Sequence, residues 1–205
     1  VKINGTPATI DVRKQKDDTD AELHMQATID EAARRRLGMD LGSAVTGNIP
    51  VKVVGHVGDN VTDEGLSIEA DLTPVKIDNL LPGWVKAAGR PARASYVLMK
   101  TGKSARFDDL SIDGSGATVR GSIEFDSNNE ISAANFPVFA LSEGDKATLK
   151  ADRAGDGTLR VAMRGDIYDW RNFVKSFMTG ASADKNESKQ VTLDLDVKLG
   201  MVAGH

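Results

Sequence analysis

The chain has 205 residues, with 26 Lys+Arg against 30 Asp+Glu, a net charge of −4, 40% hydrophobic and 5% aromatic residues, and no cysteine. That length suits one β domain or two small ones with a sizeable core, and the scarcity of aromatics puts that core on Val, Ile, Leu, Ala and Met. Interspersed charge excludes the basic stripe of a nucleic-acid binder and a polybasic patch for anionic headgroups; the lack of cysteine excludes disulfides, thiolate metal sites and Cys nucleophiles, and leaves the redox compartment open.

In chain order, the sequence opens at Val1 inside what reads as a strand, with Val1–Val12 a candidate sheet edge. Next, Leu23, Met25, Ala27 and Ile29 share one face of an alternating segment, with Glu22, His24, Gln26 and Thr28 on the other. Asp30 caps a predicted helix over Glu31 to Leu37, and Gly38 stops it. The basic run Arg34–Arg36 reads as the polar face of that helix rather than a phosphate site. Leu66, Ile68, Ala70 and Leu72 alternate with Ser67, Glu69 and Asp71. A second helix is expected over roughly Ile77 to Ala88, split or bent at Pro82.

From about Ala105 to Ile167 the pattern predicts a meander of hairpins. Strands over Val119–Phe125 and Leu159–Ile167 alternate cleanly. Turn signals fall between the strands at Asp113–Gly116, Asp126–Asn129, Glu143–Asp145 and Gly155–Gly157, several with Gly or Asn where a hairpin needs positive φ. A third helix is expected over Trp170 to Met178, capped by Asp169, with Phe173, Val174, Phe177 and Met178 as its stripe. The polar run Ala181 to Gln190 reads as a flexible loop. The last strand is Val191 to Leu199, with Asp194, Asp196 and Lys198 on its wet face. No apolar run approaches the roughly 18–20 residues of a membrane helix, and the abrupt ends read as those of a piece of a longer protein.

The side chains that carry chemistry are sparse. His24, His56 and His205 have no second ligand at metal spacing. Calcium-loop templates started at Asp113, Asp152 or Asp184 fail at required positions, such as Lys189 where Gly is needed and Leu195 where Glu is needed. No nucleophile elbow, Walker loop or zinc-protease motif occurs. Asp194 and Asp196 share one solvated strand face, unlike glycosidase carboxyls, which come from separate elements with one in an apolar setting. The expectation is a protein that is not an enzyme, with no catalytic residue, no metal and no cofactor.

One ordered set of segments goes beyond generic β pattern: LSIEADLTPVKIDNLLPGWVKAAGRPARASYVLM (Leu66–Met99), FDDLSIDGSGATVRGSIEFD (Phe107–Asp126), EISAANFPVFAL (Glu130–Leu141) and GTLRVAMRGDIYDWRNFVKS (Gly157–Ser176). Together they resemble the AsmA-like and YhdP-like proteins of Gram-negative envelopes, over Ala21 to Met178. The resemblance implies a periplasmic, β-rich segment of a protein anchored at the inner membrane. It also implies binding or conduction of phospholipid or another lipid between inner and outer membrane, and a role in outer-membrane biogenesis. It brings no catalytic residues. The implied organisation is a single segment over 1–205: N-terminal strands and a short helix over 1–60, an AsmA-like core over 61–178, a loop over 179–190 and a last strand over 191–199.

The alternation leads the same way. About eight to twelve one-sided strands must hide their apolar faces, since each exposed Leu, Ile or Val forgoes roughly 1.5–3 kcal/mol. The expected fold is therefore mainly β: a large antiparallel, strongly curved sheet, either a U-shaped groove or a partly open barrel or sandwich, with about three short helices. The expected lipid lining is Leu66, Ile68, Leu72, Val119, Ile123, Phe125, Val161, Met163, Leu193, Leu195 and Val197. Lipid and adjoining strands of the parent chain are the expected partners, with no nucleic acid. The competing expectation is a structural or interaction β module of the envelope with a closed core and open strand edges.

Overall fold

The computed structural model describes residues 1–3, 5–14, 21–37, 41–57, 65–78, 80–81, 83–168 and 192–202. The protein is mainly β. Fifteen strands follow one another: β1 (Lys2–Ile3), β2 (Thr6–Arg13), β3 (Ala21–Ile29), β4 (Val45–Thr46), β5 (Ile49–Val57), β6 (Leu66–Asp71), β7 (Lys76–Asp78), β8 (Val85–Lys86), β9 (Ala92–Thr101), β10 (Ser104–Gly114), β11 (Ala117–Phe125), β12 (Ile131–Ala140), β13 (Lys146–Arg153), β14 (Leu159–Tyr168) and β15 (Leu193–Val202). Twelve form one sheet in the order β1-β2-β3-β5-β6-β9-β10-β11-β12-β13-β14-β15. Every neighbouring pair is antiparallel except the last, β14 and β15, which run parallel. The sheet does not close on itself; it is open, with β1 and β15 at its edges.

The hairpins form where the sequence places their turn residues. Between β10 and β11, Ser115 (φ 52°) and Gly116 (φ 84°) both take left-handed conformations, which match a two-residue loop to the strand twist. Asn129 (φ 60°), Gly144 (φ 92°) and Gly157 (φ 87°) do the same in the next three turns. Aspartates fasten these turns. Asp126 accepts from the amides of Asn128 (2.8 Å) and Glu130 (3.0 Å), and Asp145 from those of Leu141 (3.0 Å) and Ser142 (2.9 Å).

Register shifts interrupt the ladder at four places, and two of them set the apolar face. On β10 the register shifts between Phe107 and Leu110, where Asp109 takes φ 49°. This bulge returns Leu110 and Ile112 to the face that Phe107 occupies. On β12 a second shift near Pro137 lets Ala134, Phe136 and Phe139 share a face. Between β12 and β13 the paired stretch is short, Ala133–Phe136 against Leu149–Asp152, although both strands continue.

The first predicted helix is present as α1 (Glu31–Arg36), with Asp30 Oδ1 accepting from the Ala33 amide at 2.7 Å. The second is not. Over Ile77–Ala88 the chain instead makes β7 and β8, which pair with β4 as a three-stranded sheet. Ile77, opposite Val45, is fully buried, so extended pairing wins over a helix that would carry Pro82 and Gly83 in its interior. A single 3-10 turn over Gly42–Ala44 precedes β4. The third predicted helix, Trp170–Met178, and the loop over 181–190 lie outside the described residues. The last strand starts two residues later than expected and runs on to Val202. The expected boundary at residue 60 does not interrupt the sheet, because β5 and β6 pair directly across it.

Candidate functional site

The candidate site is the apolar face of the large sheet, and the register builds it row by row. Residues directly opposite one another on paired strands point to the same side. One row runs Ala8, Ala27, Val51, Ala70, Ala94, Ile112, Val119 and Phe139. Another runs Leu66, Leu98, Phe107, Ile123, Ala134, Ala151, Val161 and Leu195. The apolar residues of a dozen strands therefore form one surface rather than several separate cores.

That surface is covered unevenly. The three-stranded sheet supplies Val45, Val75, Ile77 and Trp84 to a single buried cluster that also holds Leu72, Ile112, Val119, Phe136, Phe139, Leu141 and Met163. Two buried cations fasten this cover. Arg34, only 2% exposed, donates to the carbonyls of Gly47 (2.7 Å) and Val45 (2.9 Å), and more weakly to Ile29 (3.4 Å). Lys86, 1% exposed, donates to the carbonyls of Val75 (2.7 Å), Ala87 (3.1 Å) and Thr73 (3.3 Å). Burial pulls the Lys86 ammonium below its ordinary pKa, and the nearby Asp71 carboxylate opposes this. The run Arg34–Arg36 is thus not one polar face. Arg35 pairs with Glu31 on the surface, whereas Arg34 is a structural tie inside the protein.

Toward the opposite end the described cover thins. Leu66 is 36% exposed, Leu193 43%, Leu195 39%, Ile10 40% and Val12 56%. Tyr96, Phe107 and Phe125 form a half-buried ladder there, with ring centroids 4.7 Å and 5.2 Å apart. Desolvation raises the Tyr96 phenol above its ordinary pKa, so the hydroxyl stays neutral at any physiological pH.

The eleven expected lining residues divide accordingly. Ten belong to the registered strands and face one side, while Leu72 stands one residue beyond β6 on the same side. Leu72, Val119 and Met163 are buried in the closed cluster; Ile68, Ile123, Phe125, Val161 and Val197 are half-buried; Leu66, Leu193 and Leu195 are exposed. Sequence reasoning missed the cover: Ile77, Trp84 and Lys86 fall where a helix was expected, and Val75 lies two residues ahead of it. The alternation Val75-Lys76-Ile77 was the available signal.

The opposite face is polar. Two clefts lie along the sheet and take in residues of both faces: one of about 1100 Å³ includes Thr9, Gln26, Lys52 and Glu69 together with Ala8, Ala27, Val51 and Ala70, and a second of about 660 Å³ lies beside Val138, Lys146, Arg164 and Lys198. In the larger cleft the charges answer one another across the strands, Lys52 opposite Glu69, and Arg93 between Asp71 and Asp113. Asp113 also takes both guanidinium contacts of Arg120 Nη2, at 2.7 and 2.8 Å, which hold its carboxyl below the ordinary range. Asp194 is exposed, and Asp196 pairs with Arg164, which lowers its pKa likewise. Among the described residues no carboxylate is buried, no group of three or more His, Asp or Glu is placed to hold a metal, and no helix is long and apolar enough to cross a membrane. His24 is half-buried with its Nε2 3.1 Å from Glu22, His56 is exposed, and His205 lies outside the described residues.

In comparisons with family models, curated proteins and solved structures, nothing matches this chain.

Proposed function

We propose that this chain is a non-catalytic, periplasmic segment of an AsmA-like protein anchored at the inner membrane of a Gram-negative cell, and that its apolar sheet face binds or conducts lipid acyl chains between the two membranes. The observation that carries this reading is the continuity of the face: twelve strands contribute to one surface, and the described cover closes only part of it. In this reading the sheet curves as a U around that face, and Leu66, Leu193 and Leu195 with the half-buried Ile68, Ile123, Phe125, Val161 and Val197 meet the chain. An acyl chain laid over them gains about 0.8 kcal/mol per buried methylene and asks for no hydrogen-bond partner along its length. Leu72, Val119 and Met163 serve instead as the floor of the closed end.

The test is organic extraction and native mass spectrometry of the purified chain, with uptake of a fluorescent phospholipid from vesicles as a second readout. Bound phospholipid is expected, and Leu66→Asp with Leu195→Asp is expected to abolish it while leaving the melting temperature close to wild type. A folded chain that carries no lipid and takes none up overturns the proposal.

A second reading has its own support. The small sheet gives part of this chain an ordinary closed core, and β2 keeps its outer side unpaired along Thr9–Arg13 among the described residues. A structural module of the envelope whose edge pairs with adjoining strands of a parent chain would look like this. Lipid extraction separates the two readings.

A further inference from the structure

We propose that β15 is a self-complementary edge, and that two copies of this chain join through it as an antiparallel pair centred on Val197. Among the described residues β15 pairs on one side only, with β14. The Leu159 amide donates to the Thr192 carbonyl at 2.9 Å. Backbone groups alternate along a strand, so even-numbered residues of β15 turn toward β14, and Leu193, Leu195, Val197 and Leu199 turn their N–H and C=O groups outward. Among the described residues that edge has no partner, which leaves a hydrogen-bonding row along a ten-residue strand.

The side chains select the occupant and the register. A twofold axis at Val197 sets Val197 against its own copy, Leu195 against Leu199, and Asp196 against Lys198 twice. The outward-facing odd residues then form the hydrogen-bonded pairs. Asp196 and Lys198 fall in the closer, non-hydrogen-bonded pairs, where opposite charges interact best. Shifting the axis to Asp196 sets that carboxylate against itself, and shifting it to Leu195 sets Asp194 against Asp196 twice.

Lys198 also forms no ion pair among the described residues; Asp196, two positions earlier on the same strand, attracts it only at longer range while it holds Arg164. The cross-strand neighbour of Lys198 on β14 is Arg164, a like charge already engaged by Asp196. Among the described residues no acid pairs with Lys198, so the copy's Asp196 is the partner that relieves the repulsion. Because opposed residues share a side, the dimer sets the two apolar faces next to each other as one surface. This inference stands on the edge and its charges alone, independently of the lipid reading.

Sedimentation velocity over a wide concentration series tests it on the 205-residue chain. A reversible dimer of twice 21.9 kDa is expected. Val197→Pro removes the N–H at the axis without touching the β14 ladder, and is expected to give a monomer with unchanged far-UV circular dichroism. Lys198→Asp is expected to weaken the dimer about tenfold or more by setting like charges opposite twice. The register has its own readout, since the chain has no cysteine. In a hydrogen-bonded antiparallel pair the Cα atoms stand about 5.5 Å apart, within disulfide reach. Val197→Cys should therefore cross-link on air oxidation, whereas Leu195→Cys, four residues from its own copy, should not. A wild-type chain that stays monomeric throughout overturns the proposal, as does a dimer in which Val197→Pro and Val197→Cys behave like wild type.

Discussion

Replacing Arg34 tests whether a buried guanidinium, rather than the short helix that carries it, fastens the cover of the sheet. Its two good hydrogen bonds, 2.7 Å to Gly47 and 2.9 Å to Val45, are both charge-assisted and lie in a site where Arg34 is 2% exposed. Such bonds contribute about 1.5–3 kcal/mol each, and removing the donor leaves carbonyls without a partner as well as a void. Arg34→Ala should therefore cost about 3–5 kcal/mol, a fall of roughly 10 °C in melting temperature for a chain of this size. Arg34→Lys keeps the charge but loses the fork, and should recover only part of this. Arg35 is the internal control. Its side chain is 58% exposed and its ion pair with Glu31 spans one helical turn, so Arg35→Ala should cost no more than about 0.5 kcal/mol. The assay is urea unfolding followed by far-UV circular dichroism on all three variants. If Arg34→Ala and Arg35→Ala lose the same stability, Arg34 is not the tie described above.

Three further outcomes follow from the same geometry. Trp84 is 1% exposed and its indole Nε1 has no acceptor among the described residues, so Trp84→Phe should fall within about 1 kcal/mol of wild type in thermal unfolding while Trp84→Ala costs about 3–5 kcal/mol. Gly114 takes φ 131°, and a β-carbon there would run into the backbone of Pro91 and Ala92, so Gly114→Ala should destabilise by about 2 kcal/mol or more, whereas Gly155→Ala, whose site is open, should fall within about 0.5 kcal/mol of wild type. Because Arg120 depresses the folded pKa of Asp113 below its ordinary 3.8, the stability from that pair is fully present above about pH 4 and is lost as pH falls through the folded value. Asp113→Asn should be less stable than wild type at neutral pH and show a shallower loss in acid, measured as melting temperature against pH.

The strands were legible because alternation is enforced over long stretches: Leu66 to Asp71, Ala117 to Phe125 and Leu159 to Asp166 each have one drier and one wetter side. The hairpin turns were legible because Gly116, Asn129, Gly144 and Gly157 supply the backbone conformations those turns need. What the sequence hid was tertiary. In the stretch from Ile77 to Ala88, apolar residues around Leu80 and Leu81 imitate helical spacing, yet Ile77 is held extended by Val45, thirty-two positions earlier, and no local pattern announces that partner. Arg34 is the first of three consecutive arginines on a capped helix, and only the carbonyls of a distant turn distinguish it. The candidate face was legible as a list of apolar positions. Its division into a floored end and a barer end depended on the cover, and so was not.

The order of the large sheet follows the order of the chain almost strand by strand, departing from it only where the small sheet's strands branch off. A strand in such an arrangement owes its stability mainly to the neighbours that precede and follow it, which gives the sheet a quasi-one-dimensional ledger, much like a solenoid's. Hairpins can then be added or removed in evolution with the cost confined to one junction, so the length of the apolar surface becomes an adjustable dimension. Beyond the two-pair β1–β2 ladder at the edge, the shortest ladders in that series are β5–β6 and β12–β13, with four registered pairs each. Amide exchange should divide at β12–β13, with the block from β13 to β15 opening separately from the strands before it.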